Sequence, residues 1–187
     1  MTDGDETVLV NASNTNAQLG SGVSSAIRRA CGPGYQQFLF DELQRVFGGA
    51  MEPGEILFTS AGSHPRAKWV AHVAVMDYRE GFNGGSFPTL ERVQVACERL
   101  WPRVDALGGT QSVAMVALGA GTGNLGVIEP MRIAARTLKA AAPAPIERVC
   151  FYGFALQEYV AVAEVIASEF SEVESTLPPE VRAVLRR

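Results

Sequence analysis

The sequence predicts an α/β fold, with helices on both faces of a mainly parallel or mixed sheet. Three observations predict it. Short apolar runs alternate with stretches whose apolar residues recur at steps of three and four, from residue 7 to about residue 170. The chain has 187 residues, 47% of them hydrophobic, which suits one domain with a real core. Two of the apolar runs also lead into uncharged glycine loops followed by helical stretches, the junction at which such sheets hold ligands.

Taken in order, residues 7–11 read as a short buried strand. Gly20 and Gly22 precede Ala26, Ile27 and Ala30, which sit at helical spacing. Gly32-Pro33-Gly34 stops that helix, and Pro33 suits the start of the next. Tyr35, Phe38, Leu39, Leu43, Val46 and Phe47 form the apolar stripe of this second helix, which Gly48-Gly49 ends. Strands follow at 55–60 and 68–76, joined by the polar turn Gly62-Ser63-His64-Pro65, and residues 81–88 read as a mobile loop. Leu90, Val93, Cys97, Leu100, Trp101, Val104 and Leu107 trace a long amphipathic helix, bent or ended near Pro102. The run 112–118 has the continuous apolar character of a central strand. After a glycine loop at 119–126 comes a helix to about residue 142, with Pro130 in its first turn and Pro143 and Pro145 at its exit. A strand at 148–152 and a helix at 156–170 complete the alternation. The tail carries Pro178-Pro179 and a short final helix ending in Arg186-Arg187.

Composition excludes several function classes. The net charge is −4 and no run of Lys or Arg occurs, so strong non-specific nucleic-acid binding is not expected. Three widely spaced cysteines, Cys31, Cys97 and Cys150, form neither a disulfide framework nor a zinc motif, and a reducing cytoplasm is the expected compartment. Residues 1–6 are polar and acidic, unlike a signal peptide. The uncharged stretch 110–128 is broken by glycines, so no membrane span is expected. Neither a metal motif nor a cofactor motif is present, and no cofactor is expected.

Chemistry concentrates in the two glycine loops. The first lies between Asn11 and Ile27 and contains Asn14, Gly20, Ser21, Gly22 and Val23; it holds no charged residue. The second comprises Gly119, Ala120, Gly121, Thr122, Gly123, Asn124, Leu125 and Gly126 and is equally uncharged. Glycines let a backbone approach a ligand closely, and a helix N-terminus offers free N–H groups with partial positive charge. Together they make an anion site that needs no cationic side chain. Two such loops side by side would clamp a diphosphate, and asparagine amides suit ribose hydroxyls. The spacing Gly121-x-Gly123-x-x-Gly126 fits the dinucleotide pattern, but the next strand ends Phe151-Tyr152-Gly153-Phe154 without the acid that pattern requires. A P-loop is excluded, since no G-K-[ST] occurs.

These blocks resemble a macro domain, the ADP-ribose-binding α/β/α module. The resemblance is carried by Val10-Asn11-Ala12-Ser13-Asn14, by Leu19-Gly20-Ser21-Gly22-Val23-Ser24-Ser25-Ala26-Ile27 and by Gly32-Pro33. It continues through Gly54-Glu55 to Ala61-Gly62, Trp69 to Ala74, Leu118 to Leu125, and Phe151-Tyr152-Gly153-Phe154. It implies a three-layer α/β/α sandwich with a mixed central sheet, in a single domain over 1–187 with peripheral tails at 1–6 and 172–187. It implies ADP-ribose, or ADP-ribosylated protein or nucleic acid, as the partner. In that reading Asn14, with Asn11 behind it, lies near the distal ribose, and Gly20, Ser21, Gly22 and Val23 offer amides to the diphosphate. Gly121, Thr122, Gly123, Asn124 and Leu125 close over the diphosphate and distal ribose, with Gly119 and Ala120 at the base of the same loop. Phe154 is placed to stack on adenine, as an aromatic ring does on a purine face.

The resemblance also implies an ADP-ribosyl hydrolase, for which Asn14 is the candidate to hold the attacking water. Ser24 departs from the family's common pattern, which carries Asp there; a serine supplies no carboxylate to activate water. This departure leaves a non-catalytic reader as the alternative. The family's N-terminal strand, with an Asp that pairs with adenine, is not matched, and the first loop lacks the Lys of another subgroup. Elsewhere, His72 in an apolar strand reads as a hydrogen-bonded core histidine, and His64 as a solvated turn residue. Asp77 or Glu80 would be a general base if 77–88 folds over the ribose, and a surface carboxylate otherwise. Arg28-Arg29 reads as a solvated helix face or an aid to an incoming phosphate.

Overall fold

A computed structural model describes residues 1–109, 111–142 and 146–174. Pro143, Pro145 and the expected short final helix lie outside the described residues. Five strands form one sheet in the order β2-β3-β1-β4-β5. They are β1 (Val8–Asn14), β2 (Ile56–Ser60), β3 (Trp69–Met76), β4 (Gln111–Val116) and β5 (Ile146–Tyr152). β3, β1, β4 and β5 run parallel and β2 alone is antiparallel, so the sheet is mixed, as expected. The helices are α1 (Gly22–Ala30), α2 (Tyr35–Phe47), α3 (Leu90–Asp105), α4 (Ile128–Ala141) and α5 (Leu156–Glu169).

Strand alternation assigns the layers. Val8 and Val10 of β1 join Val73, Val113 and Met115 in a core with Val93, Leu100 and Trp101 of α3 and Ala134 of α4. Leu9 points the other way, packing with Val70, Ala74 and Ala114 against Ile27 of α1 and Tyr35, Leu39 and Leu43 of α2. α5 packs on α4 through Val162, Val165 and Ile166 against Met131 and Ala135. Among the described residues no helix is long and apolar enough to cross a membrane.

Several expectations change in detail. β1 extends past Asn11 to Asn14 because Asn11 to Ser13 stay in register with His72 to Ala74 of β3. α3 runs through Pro102 to Asp105. Pro102 and Glu98 both lie on the exposed face, so the carbonyl that loses its N–H partner faces water. Residues 81–88 are not an open loop. A 3₁₀ turn, Gly84–Ser86, is closed by a reciprocal pair in which Asn83 accepts from Gly85 N and Ser86 Oγ accepts from Asn83 N. His64 is buried rather than solvated. Its Nδ1 accepts from the amides of Arg66 and Ala67, and its Nε2 donates to the Thr2 carbonyl. Within 1–6, Glu6 is only 3% exposed and accepts from the Tyr152 hydroxyl at 3.0 Å, so the end of this segment lies on β5.

Candidate functional site

β1 and β4 are adjacent and parallel, so the loops that leave their carboxyl ends share one edge of the sheet. The two glycine loops are these loops. β3 and β5 also point there, delivering residues 77–88 and Phe154 to the same edge.

The first loop is pinned from within. Asn14 Oδ1 accepts from the amides of Asn16 and Gln18, each at 3.1 Å, and its Nδ2 donates to the Gln18 carbonyl at 3.0 Å. Gln36 of α2 holds the next turn, accepting from Leu19 N at 2.7 Å and donating to the Ala17 carbonyl at 3.0 Å. Gln36 thereby stabilises Ala17 at φ 52°, a conformation unusual for an L side chain. The chain then enters α1 at Gly22. Ser21 makes no side-chain cap and the first turn has no acidic residue. Among the described residues no acceptor reaches the amides of Gly22, Val23 or Ser24. These N–H groups and the positive end of the helix are open to an anion.

The second loop is tighter. Ala120 N donates to the Ala117 carbonyl, Asn124 N to Gly121 and Leu125 N to Gly119, at 3.0–3.2 Å. This folding leaves the amides of Gly121, Thr122 and Gly123 without acceptors among the described residues. Three consecutive free amides are the makings of an anion nest. Gly119 and Gly126 take φ +79° and +68°, and Asn124 φ 58°, values that favour glycine and asparagine. Gly121, Thr122 and Asn124 are exposed, whereas Gly119 and Gly123 are buried.

Behind the first loop lies a buried polar chain. Ser24 Oγ donates to Asn11 Oδ1 at 2.9 Å, and Asn11 Nδ2 donates to His72 Nδ1 at 3.1 Å. An amide nitrogen only donates, so Nδ1 must accept and the proton sits on Nε2. That N–H faces the Tyr35 hydroxyl at 3.2 Å and Thr59 Oγ1 at 3.3 Å, which bond each other at 2.9 Å. Burial holds His72 neutral, lowering its pKa to about 3. Asn11 and His72 are both fully buried, and their side chains face the layer of α1 and α2. Asn11 therefore orients Ser24 at the first turn of α1 and spends its own amide doing so. The sequence reading saw His72 as a core histidine but missed Tyr35 and Thr59 as its partners. Its available signal was a set of polar residues at core positions of apolar strands.

Of the two candidate bases, Glu80 is exposed and Asp77 is engaged elsewhere. Asp77 pairs with Arg79, whose guanidinium hydrogen bonds hold the carboxyl below the usual carboxylate range. Arg79 also pairs with Glu52. Ser24 Oγ faces Asn11 and the Ala12 carbonyl. Phe154 is 98% exposed, so both faces of its ring are open, and its amide donates to Glu158 Oε2 at 2.9 Å. Arg28 and Arg29 lie on the exposed face of α1, with Arg29 donating to Ser25 Oγ. Among the described residues no group of His, Cys, Asp and Glu could hold a metal ion.

Comparison with known proteins fits this geometry. A family model described as Macro domain matches residues 10–138. The chain is 30% identical over 167 residues to a macro domain-containing protein of Streptomyces griseus, covering 89% of this chain and 90% of that one. It is also 30% identical over 143 residues to an uncharacterized protein of Mycobacterium tuberculosis, of which those residues span 36%. In fold it is similar to an Oceanobacillus iheyensis macrodomain solved with ADP, with a TM-score of 0.72 at 19% identity. That likeness covers 89% of this chain and 86% of the other. It is also similar to a Trypanosoma brucei macrodomain in complex with ADP-ribose, with a TM-score of 0.66 at 22% identity over 88% of this chain and 65% of that one.

Proposed function

Because the chain belongs to the macro domain family, we propose that it binds ADP-ribose, or a ligand carrying an ADP-ribosyl group, with its two glycine loops on the diphosphate. The observation that carries this reading is the pair of amide sets, Gly22 to Ser24 and Gly121 to Gly123, open on one edge of the sheet with no acidic side chain in the first turn of α1. A diphosphate presents oxygens on two sides and spreads its charge, which suits two preorganised amide cradles better than one cation. Asn14 stands at the end of β1 beside the first cradle, where the distal ribose would lie. The exposed ring of Phe154 suits the adenine.

The same residues favour reading over cleavage. No carboxylate stands at position 24, and Asp77 is held ionised by Arg79. A general base needs free access to its water. Cleavage of an ADP-ribosyl bond would instead depend on a water held near Asn14 and on the substrate's own phosphate. Calorimetry with ADP-ribose tests the binding, with saturable binding expected that Gly121→Val abolishes. A Cβ at Gly121 meets no protein atom within 4 Å, so the loss would report the ligand rather than the fold. No heat at millimolar ADP-ribose would reject the proposal. Incubation with ADP-ribosylated protein, ADP-ribosylated DNA and O-acetyl-ADP-ribose then separates a reader, which releases nothing, from a hydrolase.

A further inference from the structure

We infer that residues 77–88 form a strut that sets the spacing of the two glycine loops, with Pro88 as the positioning residue through which it acts on the second. The inference rests on the ligand site proposed above and assigns a role to a segment outside it.

One end of the segment is tied to the first loop. Tyr78 N donates to Thr15 Oγ1 at 2.8 Å, and Asn16 Nδ2 donates to the Tyr78 carbonyl at 2.9 Å. Thr15 N in turn donates to the Met76 carbonyl at 2.9 Å. The other end lies under the second loop. Pro88 is buried, and its Cγ is 2.8 Å from where a Cβ on Gly119 would be and 2.6 Å from one on Gly123. The two glycines that shape the second loop are therefore seated on this one ring.

Between its ends the segment is closed on itself. Asp77 N donates to the Ser86 carbonyl at 3.0 Å, and Ser86 Oγ donates to the Gly81 carbonyl at 3.1 Å. The rings of Tyr78, Phe82 and Phe87 meet edge to face with centroids 5.6 Å apart at each step. Arg92 of α3 reaches back to the Val75 and Phe87 carbonyls. A segment so cross-linked transmits position rather than absorbing it. Two amide cradles grip one diphosphate only when their separation matches it, so the strut acts on affinity by preorganisation.

The test compares wild type, Pro88→Ala and Pro88→Val by ADP-ribose calorimetry, thermal melting, and amide hydrogen exchange without ligand. Pro88→Ala removes Cγ and should weaken binding by about tenfold or more while shifting Tm by only about 3 °C. It should also speed exchange at the hydrogen-bonded amides of Ala120, Asn124 and Leu125. Pro88→Val restores a Cγ and should recover most of the affinity and the slower exchange. Binding by Pro88→Ala within about twofold of wild type overturns the inference, as does Pro88→Val that remains as weak as Pro88→Ala. If wild type binds no ADP-ribose, the proposed function fails, and exchange decides the strut by itself. Faster exchange at Ala120, Asn124 and Leu125 in Pro88→Ala supports it; unchanged exchange there overturns it.

Discussion

The two glycine loops look alike in the sequence, yet they need glycine for different reasons. In the first, a Cβ added at Gly20 or Gly22 would meet no atom within 4 Å. In the second, a Cβ at Gly123 would lie 2.4 Å from the Gly119 carbonyl oxygen, and one at Gly119 would lie 3.0 Å from Leu125 as well as against Pro88. The first loop leaves open space at both glycines, and Gly22 is also held at φ +53°. The second is built from its own backbone at Gly119 and Gly123, and only Gly121 and Gly126 within it share the openness of the first. A glycine pattern thus marks open surface in one place and internal packing in the other, and only the surroundings tell them apart.

That contrast breaks most visibly under substitution. Gly123→Ala forces a methyl group against a backbone oxygen that cannot move aside, so the loop must be rebuilt. The expected cost is about 2–4 kcal/mol in urea unfolding, with ADP-ribose binding lost. Gly20→Val, placed in open space at a φ that L residues accept, should leave stability within about 0.5 kcal/mol and still cut ADP-ribose affinity at least tenfold. Equal destabilisation by the two substitutions would remove the distinction.

A second substitution sharpens the comparison at the junction of the first loop with α1. Ser24 Oγ donates to Asn11 Oδ1 and lies 3.3 Å from the Ala12 carbonyl. Ser24→Asp would bring a carboxylate against these two acceptors and leave Asn11 Oδ1 without its donor, a cost of about 1–3 kcal/mol. Restoring the acid of the family's common pattern should therefore destabilise this chain, because Asn11 and His72 are arranged around a hydroxyl. An unfolding midpoint unchanged in Ser24→Asp would mean that the side chain turns outward and that the buried chain does not depend on it.

The layered fold was legible because alternation leaves a direct trace: each strand and helix is a run of apolar residues with its own period. The meeting of the two glycine loops at one edge of the sheet was legible too, since both follow apolar strands. Three things were not. The antiparallel course of β2 depends on pairing across the sheet with β3, which no local pattern records. The burial of His64 depends on residues 2, 66 and 67 closing around it, so one ring of an otherwise exposed polar turn became buried. The order in 81–88 comes from a short-range exchange between Asn83 and Ser86, which glycines on both sides conceal. For the site, Asn14 reads as a ribose ligand, yet its amide already secures its own loop. A residue type names the bonds that a side chain is able to make, and neighbours decide which are already made.

The most gradual expected effect concerns the support of the first loop. His72 is fully buried with Nδ1 accepting from Asn11, and burial lowers its pKa from 6.5 to about 3. A histidine whose folded pKa is depressed takes up a proton more readily when unfolded. It therefore subtracts nothing from stability above pH 6.5, and below it stability falls by about 1.4 kcal/mol per pH unit until the folded pKa is reached. The second loop has no buried histidine behind it, so acid should loosen the first loop's support before it affects the second. Carboxylates join the titration below about pH 5, so the window that isolates histidine is pH 6.5 to 5. Nitrogen-15 NMR separates His72 from His64 in that window. The His72 signal should remain that of the neutral Nε2–H tautomer from pH 7 to pH 5. A His72 midpoint inside the window, or a proton on Nδ1, would mean that Asn11 presents its oxygen to the ring. The orientation of Ser24 at the start of α1 would then have to be assigned anew.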